Sequence, residues 1–297
     1  MPPPELVYGR VMSTSAVEGT DLNNSAAAPV LDLAPGSESP TEWLKSLWGH
    51  RGVIWVLSRK DFQARYKRAS LGVLWAVAVP LVQATVMIFV FSHFVHTGRG
   101  FSYPAYVLSG ILAWSYFSIA LQGGSTAIVD NTAVTDKLWF PRAILSLVPC
   151  LSNLVGLGIS MVILVIAVPI LGAHLDAHLL LLVPACLLLL LFTVALAMVV
   201  SALHVYYRDV RFIVSAALLV WLYATPILYP KAKVGSLGKW LDLNPMTGIV
   251  SLFHLAVIGR DESWLPALAV SLVVTGALLI VAMEVHRRHD RLFVDLL

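Results

Sequence analysis

The sequence predicts an all-α integral membrane protein with six transmembrane helices, an N-terminal amphipathic interfacial helix and a re-entrant segment before the last span. Two observations carry this prediction. Of the 297 residues, 58% are hydrophobic and only 12% are charged, whereas soluble domains have about 25% charged residues. The apolar residues also form blocks that reach the ~20 residues a helix needs to cross the hydrocarbon core.

The first segment, residues 1–41, is rich in Pro, Ser, Ala and Gly and poor in aromatic residues. Such a composition buries too little apolar area to offset the entropy lost on ordering, so we expect a disordered extension. No continuous apolar stretch follows a basic start, which argues against a signal peptide and assigns the extension to the cytoplasm.

Residues 42–70 mix apolar side chains with cations, a pattern typical of an amphipathic helix that lies in the membrane interface. The cations run directly into the first apolar block, in the stretch RYKRASLGVLWAVAVP that begins at Arg65. In a simpler interpretation, which stays open, these cations only orient the first span.

The remaining chain, 71–297, is assigned to one transmembrane domain. The predicted spans lie near residues 71–95, 104–127, 144–172, 177–204, 211–230 and 264–284. The segment 240–259 is also apolar, but Asn244, Pro245 and Gly248 interrupt it. A re-entrant hairpin fits this segment better than a span, because irregular backbone at membrane depth has to be shielded by protein.

The distribution of cations predicts the orientation of these spans. With the N-terminus inside, cytoplasmic segments hold 15 of the 20 Lys and Arg residues and external segments hold five. This asymmetry follows the positive-inside rule and places both termini in the cytoplasm.

Sequence motifs of the common enzyme classes are absent. The chain contains no H-E-x-x-H, C-x-x-C, G-x-S-x-G or Walker A motif. The apolar blocks contain no mid-span acid of the kind that proton coupling and intramembrane hydrolysis use. We therefore predict no catalytic residue and no metal site, and we interpret Cys150 and Cys186 as packing residues within spans. The alternative is a polytopic lipid-sugar enzyme, in which Arg208, Asp209 and Glu284 would be tested as active-site residues.

Aromatic side chains recur at helical spacing on three predicted spans and mark a candidate glycan path, because aromatic rings stack on sugar faces. Interfacial belts and ordinary packing are the competing interpretations. Ser152, Gly156 and Ser160 form a small-xxx-small face that favours close helix packing. The candidate residues of the path are Trp75, Phe89, Tyr106, Trp114, Phe117, Trp221, Thr225 and Tyr229.

The cytoplasmic loop DNTAVTDKLWFPR, between the second and third spans, is the predicted docking surface for a partner protein. Its apolar edge next to a proline would give the partner a rigid contact, although a purely structural loop is the alternative. The residues assigned to this surface are Asp130, Asn131, Thr132, Asp136, Lys137, Leu138, Trp139, Phe140, Pro141 and Arg142.

Taken in order, the stretches DFQARYKRASLGVLWAVAVP, DKLWFPR, YYRDVR, ATPILYP and LNPM resemble the membrane-domain family of type-2 ABC transporters. The similarity covers residues 60–250. Within that family it is greatest to permeases that export O-antigen, capsule, teichoic acid, galactan and related lipid-linked polysaccharides. A drug or small lipid exported by the same machinery is the alternative cargo.

The resemblance implies a homodimer in the bacterial plasma membrane, with six spans in each copy and membrane lipids around it. Two copies of a separate subunit would bind ATP and Mg²⁺, so this chain would carry no cofactor, and nucleic acid is not a partner. The loop 130–142 would act as the coupling helix for that subunit. Residues 231–263 would form short re-entrant helices near the exit.

The resemblance also suggests a role for cations at the cytoplasmic ends of the spans. They would bind a pyrophosphate carried on a polyprenyl lipid, since guanidinium groups bind phosphate in bidentate geometry. The candidate residues for this contact are Arg65, Lys67, Arg68, Arg142, Arg208 and Arg211.

Overall fold

Helices make up all the regular secondary structure in the described part of the chain. A computed structural model describes residues 39–67, 69–92, 102–132, 140–259 and 264–289. Most of the predicted extension, residues 1–38, lies outside these ranges. The α-helices are α1 (Pro40–Gly49), α2 (Arg51–Tyr66), α3 (Trp75–Phe91), α4 (Tyr103–Asp130), α5 (Ala143–Ser152), α6 (Leu154–Ile170), α7 (Leu182–Tyr206), α8 (Val210–Ala224), α9 (Gly238–Leu241), α10 (Pro245–Ile258) and α11 (Trp264–His289).

Within those ranges, five helical segments are long and apolar enough to cross a membrane. They match five of the six predicted spans, with ends that differ by a few residues. The segments are Gly72–Phe91, Tyr103–Asp130, Ala143–Ile170, Ala177–Tyr206 and Trp264–Arg288.

The remaining predicted span, 211–230, is helical only in its first part. Helix α8 has 15 residues and ends at Ala224, which makes it about 22 Å long, shorter than a ~30 Å hydrocarbon core. Thr225 is extended, with φ −104° and ψ 135°. Pro226 explains the break, because proline disfavours helical geometry in the residue before it and has no N–H to donate. The span predicted near 211–230 is therefore helical only as far as Ala224.

Helices α1 and α2 replace the single helix predicted over 42–70. The first begins earlier than predicted, because Ser39 caps it: its backbone N–H donates to Glu42 Oε2 at 2.7 Å, and the Glu42 N–H donates to Ser39 Oγ at 3.2 Å. This reciprocal pair satisfies two N–H groups that a helix start leaves free. Helix α1 stops at Gly49, and α2 starts at Arg51 after the non-helical turn at His50.

The helix pair is amphipathic in its packing. Trp43 is buried in a cluster with Ala143 of α5 and Ala282 of α11. On the exposed side, Trp48 and Trp55 keep 72% and 69% of their accessible surface. One side of the pair therefore packs on the helical bundle, and the other presents large aromatic side chains.

Helix α4 is the centre of the bundle. In its most apolar stretch 78% of the residues are buried, compared with 17% in the segment that contains α3. It packs against α3, α5, α6, α7, α8 and α10. Close approach to α7 requires glycine at position 124, where an added Cβ would lie 2.8 Å from Cβ of Ala197. Helix α3 is peripheral, so its outward face is left for lipid or another chain.

The predicted span 144–172 contains a break between α5 and α6, at Asn153. Pro149 precedes the break inside α5, and proline in a helix interior removes one hydrogen bond of the ladder. The Asn153 side chain donates to the Pro149 carbonyl at 2.7 Å. The break is thus stabilised by a side chain that satisfies a carbonyl near the helix end.

The segment predicted as re-entrant, 240–259, contains the last two residues of α9 and all of α10. Asn244 caps α10 by accepting from the Met246 N–H at 3.0 Å, and Gly259 closes it in the left-handed conformation with φ 70°. Nearly every side chain of α10 is buried. Position 248 faces α11 so closely that an added Cβ would lie 2.3 Å from the Ala267 carbonyl oxygen.

Candidate functional site

The end of α8 is tied to the start of α10 by Asn244. Its Oδ1 accepts from Trp221 Nε1 at 2.8 Å, while its Nδ2 donates to the Ala224 carbonyl at 3.1 Å and to Thr225 Oγ1 at 3.0 Å. Asn244 therefore satisfies polar groups that the interruption of α8 exposes. From the sequence, Asn244 was expected only to interrupt an apolar segment; an Asn before a Pro at a helix start is the local signal of a cap.

Two tyrosines of α4 hold the backbone that follows α8. Tyr103 donates its hydroxyl to the Leu228 carbonyl at 2.8 Å, and Tyr106 donates to the carbonyls of Pro226 at 2.8 Å and Tyr229 at 3.1 Å. These carbonyls have left the helical ladder, and at membrane depth an unpaired carbonyl costs several kcal/mol. The turn after α8 is thus built into the protein interior by side chains of the central helix.

His254 of α10 completes this arrangement. Its ring stacks on Tyr106 with centroids 3.6 Å apart. Gly110 leaves the room for it, because an added Cβ there would lie 3.0 Å from His254 Nε2 and 2.9 Å from Ile227. Helices α4 and α10 and the turn after α8 therefore pack as one unit.

Most side chains of the predicted glycan path are packed in the interior of this chain. Tyr106, Trp114, Phe117 and Thr225 are buried, with at most 7% of their surface accessible. Trp221 is half-buried and packs edge-on against Phe117, with ring centroids 5.3 Å apart. Its indole N–H donates to Asn244. Side chains with these contacts do not line an open path in this structure.

The other aromatic residues of the predicted path are accessible. Trp75 and Phe89, both on peripheral α3, are 43% and 74% exposed, and Tyr229 is half-buried. Of the predicted set, these three side chains are the ones with surface left for a ligand, a lipid or another protein chain.

The predicted cations lie in different surroundings. Arg65 pairs with Asp61 at 3.2 Å, and its guanidinium covers Gly123 of α4, where an added Cβ would lie 3.1 Å from it. Asp61 also accepts the Ser152 hydroxyl at 2.5 Å. Arg65 is thus part of a contact between α2 and the end of α5, while Lys67 is exposed beside it.

The other predicted cations differ from Arg65 in burial and in their contacts. Arg142 is buried, with 7% of its surface accessible. Arg208 is exposed, and Arg211 lies 4.0 Å from the Asp130 carboxylate. Arg68 lies outside the described residues.

The predicted docking loop is described only at its two ends, Asp130–Thr132 and 140–142. Phe140 is 5% exposed and packs with Ile128, Ile144 and Val205. Pro141 and Arg142 are buried too, whereas Asp130 is exposed. The apolar edge predicted for a partner is therefore partly core, and Asp136, Lys137, Leu138 and Trp139 lie outside the described residues.

The residues named for the enzyme alternative form no joint site in the described ranges. Glu284 pairs with Arg287 at 2.8 Å and with Arg288 on its own helix, while Asp209 is exposed at the start of α8. Within the same ranges, no three His, Cys, Asp or Glu side chains are grouped as metal ligands would be.

The fold defines a multi-pass helical membrane protein whose fifth apolar helix is broken and tied to a buried helix. A family profile described as "ABC-2 type transporter" matches residues 52–257. Because this match covers more than half of the chain, the chain belongs to the ABC-2 type transporter family.

Individual relatives agree with this assignment. The chain is 28% identical over 241 residues to an O-antigen export system permease protein from Myxococcus xanthus, with 79% of this chain and 92% of the relative covered. It is 24% identical over 204 residues to an O-antigen export system permease protein from Klebsiella pneumoniae, covering 67% and 77%. A capsule polysaccharide export inner-membrane protein from Neisseria meningitidis is 26% identical over 178 residues, covering 57% and 64%.

Proposed function

We propose that the chain is the permease subunit of an ATP-driven exporter that moves a lipid-linked polysaccharide across the bacterial plasma membrane for cell-envelope assembly. The observation that carries the proposal is the alignment with the Myxococcus xanthus O-antigen export permease, which spans 79% of this chain and 92% of the relative. Alignments with another O-antigen permease and with a capsule export protein support the same class of cargo.

The proposal includes six membrane crossings rather than five. Two packed clusters support an even number of crossings, because they bring α1 together with the start of α5 and the ends of α7 and α11. One cluster contains Trp43, Ala143, Met198 and Ala282, and the other contains Phe140, Ile144 and Val205. Helix α8 starts on the same side as this end of α7, and α11 also ends on this side. If α11 crosses once, it begins on the opposite side. The chain from the start of α8 to the start of α11 then has to cross the membrane once.

The missing crossing is assigned to α8 and the turn held by Tyr103 and Tyr106. Helix α10 would then enter the membrane from outside and return, since its start contacts α11 through the Ser271 hydroxyl, which donates to the Pro245 carbonyl at 2.5 Å. This makes 240–259 a re-entrant segment. In this proposal both termini, the segment 1–41 and the interfacial helices α1 and α2 lie at the cytoplasmic face, as the charge asymmetry of the sequence predicts.

Partners follow from the same proposal. Two copies of this chain would form the translocating unit, with ATP and Mg²⁺ held by two copies of a separate subunit. Asp130 and the loop that follows it remain the proposed contact for that subunit. Lys67, Arg68 and Arg208 remain proposed contacts for the lipid pyrophosphate, and Trp75, Phe89 and Tyr229 for the glycan path.

The experiment that tests the proposal is reconstitution with the ATP-binding subunit. ATP hydrolysis would be measured in proteoliposomes with a polyprenyl-pyrophosphate glycan, with a drug-like amphiphile and with lipid alone. The proposal is supported if ATP hydrolysis is stimulated by the glycan lipid and not by the amphiphile. Stimulation by the amphiphile and not by the glycan lipid would assign a drug or small lipid as the cargo instead. Failure of any ATP-binding subunit to associate with the chain overturns it.

Two neighbouring substitutions test the coupling loop in the same assay. Trp139→Ala is expected to reduce stimulation while the complex remains folded. Phe140→Ala removes a buried ring and is expected to lower the thermal stability of the permease itself, since a large buried side chain replaced by Ala costs about 3–5 kcal/mol in soluble cores. Normal stimulation in Trp139→Ala would contradict the assignment of this loop.

A further inference from the structure

A polar cavity, open on one side, lies between α4 and α8; of its lining, only Arg211 was among the predicted site residues. Its volume is about 240 Å³. Counting 1.5 Å per residue from the helix ends, Gln122 lies about 12 Å inside α4 and Ser215 about 8 Å inside α8. Polar side chains at such depth are not expected on a surface that meets only hydrocarbon. The lining residues are Gln122, Ser125, Thr126, Arg211, Phe212 and Ser215.

The lining offers hydrogen-bond donors, acceptors and one aromatic ring. Ser125 and Ser215 each donate to a backbone carbonyl of their own helix, at 2.8 and 3.0 Å, so their free lone pairs act as acceptors. The amide of Gln122 supplies both a donor and an acceptor. Phe212 is 69% exposed and adds a flat apolar surface. A sugar ring presents hydroxyl groups at its edge and apolar C–H groups on its face, so it matches the hydrogen-bonding groups and the aromatic ring of this lining.

The charges at the cavity favour a neutral ligand. Arg211 is the cation of the lining, and it lies 4.0 Å from Asp130, with both side chains about half exposed (51% and 50%). A pyrophosphate placed here would be attracted by the guanidinium and repelled by the neighbouring carboxylate. A neutral polyol meets no such opposition and can use the Arg211 N–H groups as donors.

The volume of the cavity matches a small group. It is about 240 Å³, which corresponds to about eight waters at ~30 Å³ each and is below the ~300 Å³ at which pockets for drug-sized ligands begin. A single sugar ring fits this volume, and the open side leaves room for the rest of the lipid-linked glycan.

We propose that this cavity binds one neutral sugar ring of the lipid-linked glycan, the ring next to the pyrophosphate. The inference rests on the proposed function, because it takes the cargo to be a glycan on a polyprenyl pyrophosphate whose phosphates stay near the cytoplasmic helix ends. Arg211 then acts as a hydrogen-bond donor to the sugar, and not as the pyrophosphate contact that the sequence suggested.

The test compares two lipids on the complete complex in nanodiscs. The probes are a fluorescent polyprenyl pyrophosphate that bears one N-acetylhexosamine and the same lipid without sugar; the soluble hexosamine diphosphate serves as competitor. One net hydrogen bond contributes about 1 kcal/mol, so the sugar should raise affinity by at least about fivefold. The soluble compound should compete only weakly, because it lacks the membrane anchor.

Gln122→Ala and Ser215→Ala are expected to abolish the difference between the two lipids while affinity for the sugar-free lipid stays the same. Ser118→Ala is the matched control, because Ser118 lies one turn away on α4 with its hydroxyl bonded to the Ser115 carbonyl at 3.1 Å, outside the lining. Unchanged discrimination in both cavity variants overturns the sugar site. An equal loss of affinity for both lipids also overturns the sugar site, since the cavity would then hold the pyrophosphate.

The proposed function has a separate readout in the same complex. If glycan lipid stimulates ATP hydrolysis while the cavity variants discriminate normally, the sugar site is wrong and the exporter assignment stands. If neither lipid binds the wild-type complex, the cargo assignment fails, and the sugar site fails with it.

Discussion

Trp221 of α8 donates its indole N–H to the side-chain oxygen of Asn244 at 2.8 Å, and this bond joins the end of a broken apolar helix to the residue that caps the buried helix α10. Asn244 binds the end of α8 through Ala224 and Thr225 as well. One amide side chain therefore connects the two elements on which the membrane arrangement of the C-terminal half depends.

Asn244→Ala is expected to destabilise the protein by more than loss of a helix cap, which costs about 1 kcal/mol, because the Trp221 indole and the carbonyl of Ala224 also lose their partner. Thermal unfolding in detergent measures the change. Trp221→Phe removes one of these bonds and keeps a ring, so the double variant should be less destabilised than the sum of the two single variants. Strict additivity would show that the bond carries no stability.

Gly248→Ala is expected to abolish folded expression, because the added Cβ would lie 2.3 Å from the carbonyl oxygen of Ala267 and from Ser271 Oγ. Helices α10 and α11 would have to separate. Gly276→Ala in α11 is the control: nothing lies within 4 Å of its Cβ, and alanine is favoured over glycine in helices by about 1 kcal/mol. Monodisperse, stable Gly248→Ala protein in size-exclusion chromatography would contradict the packing of these helices.

Tyr106→Phe is expected to loosen the turn after α8, because the carbonyls of Pro226 and Tyr229 both lose the hydroxyl that they share. An unsatisfied buried carbonyl costs about 1–3 kcal/mol. Hydrogen exchange of the backbone amides of Ile227, Leu228 and Tyr229 should accelerate, and the melting temperature should fall. Tyr223→Phe is the matched control, since Tyr223 is 51% exposed; equal effects of the two substitutions would contradict the assignment.

The start of α1 is expected to loosen at acidic pH. The hydrogen bond from the Ser39 backbone N–H to Glu42 lowers the pKa of that carboxyl below its usual 4.5. A depressed folded-state pKa stabilises the fold above the unfolded pKa, and that contribution is lost as the pH falls through the folded value. The protection factors of the first-turn amides of α1, which compare the observed exchange rate with the intrinsic rate at the same pH, should therefore fall below pH 4.5. Glu42→Gln should remove this pH dependence, because the amide does not titrate; a persistent dependence would assign the effect to another group.

Continuous apolar runs were enough to locate five spans, because span length depends on the thickness of the bilayer and not on neighbouring helices. Thr225–Pro226 is a local sequence signal for the end of α8, but the hydrophobicity of the segment outweighed the proline in the predicted span. The break at Asn153, one turn after Pro149, was missed for the same reason.

The candidate site was less predictable. Helical spacing grouped Tyr106, Trp114 and Phe117 on one face, yet spacing does not tell whether that face meets a path or another helix. In the structure they pack in the core, with Trp114 and Phe117 against Trp221. The cavity at Gln122 joins residues from helices that are about ninety positions apart in sequence, so no local pattern could have identified it.

The sequence by itself determined the helical class, the positions of five long apolar segments, the likeness to type-2 ABC permeases and the asymmetry of charge, since each depends on composition or on residues close together in the chain. Only the tertiary structure decided which aromatic side chains are buried, which carbonyls Tyr103, Tyr106 and Asn244 satisfy, and where polar groups of α4 and α8 line an open cavity. Those features depend on contacts between distant segments. They arise because every backbone group that leaves a helix inside the membrane has to find its partner within the protein.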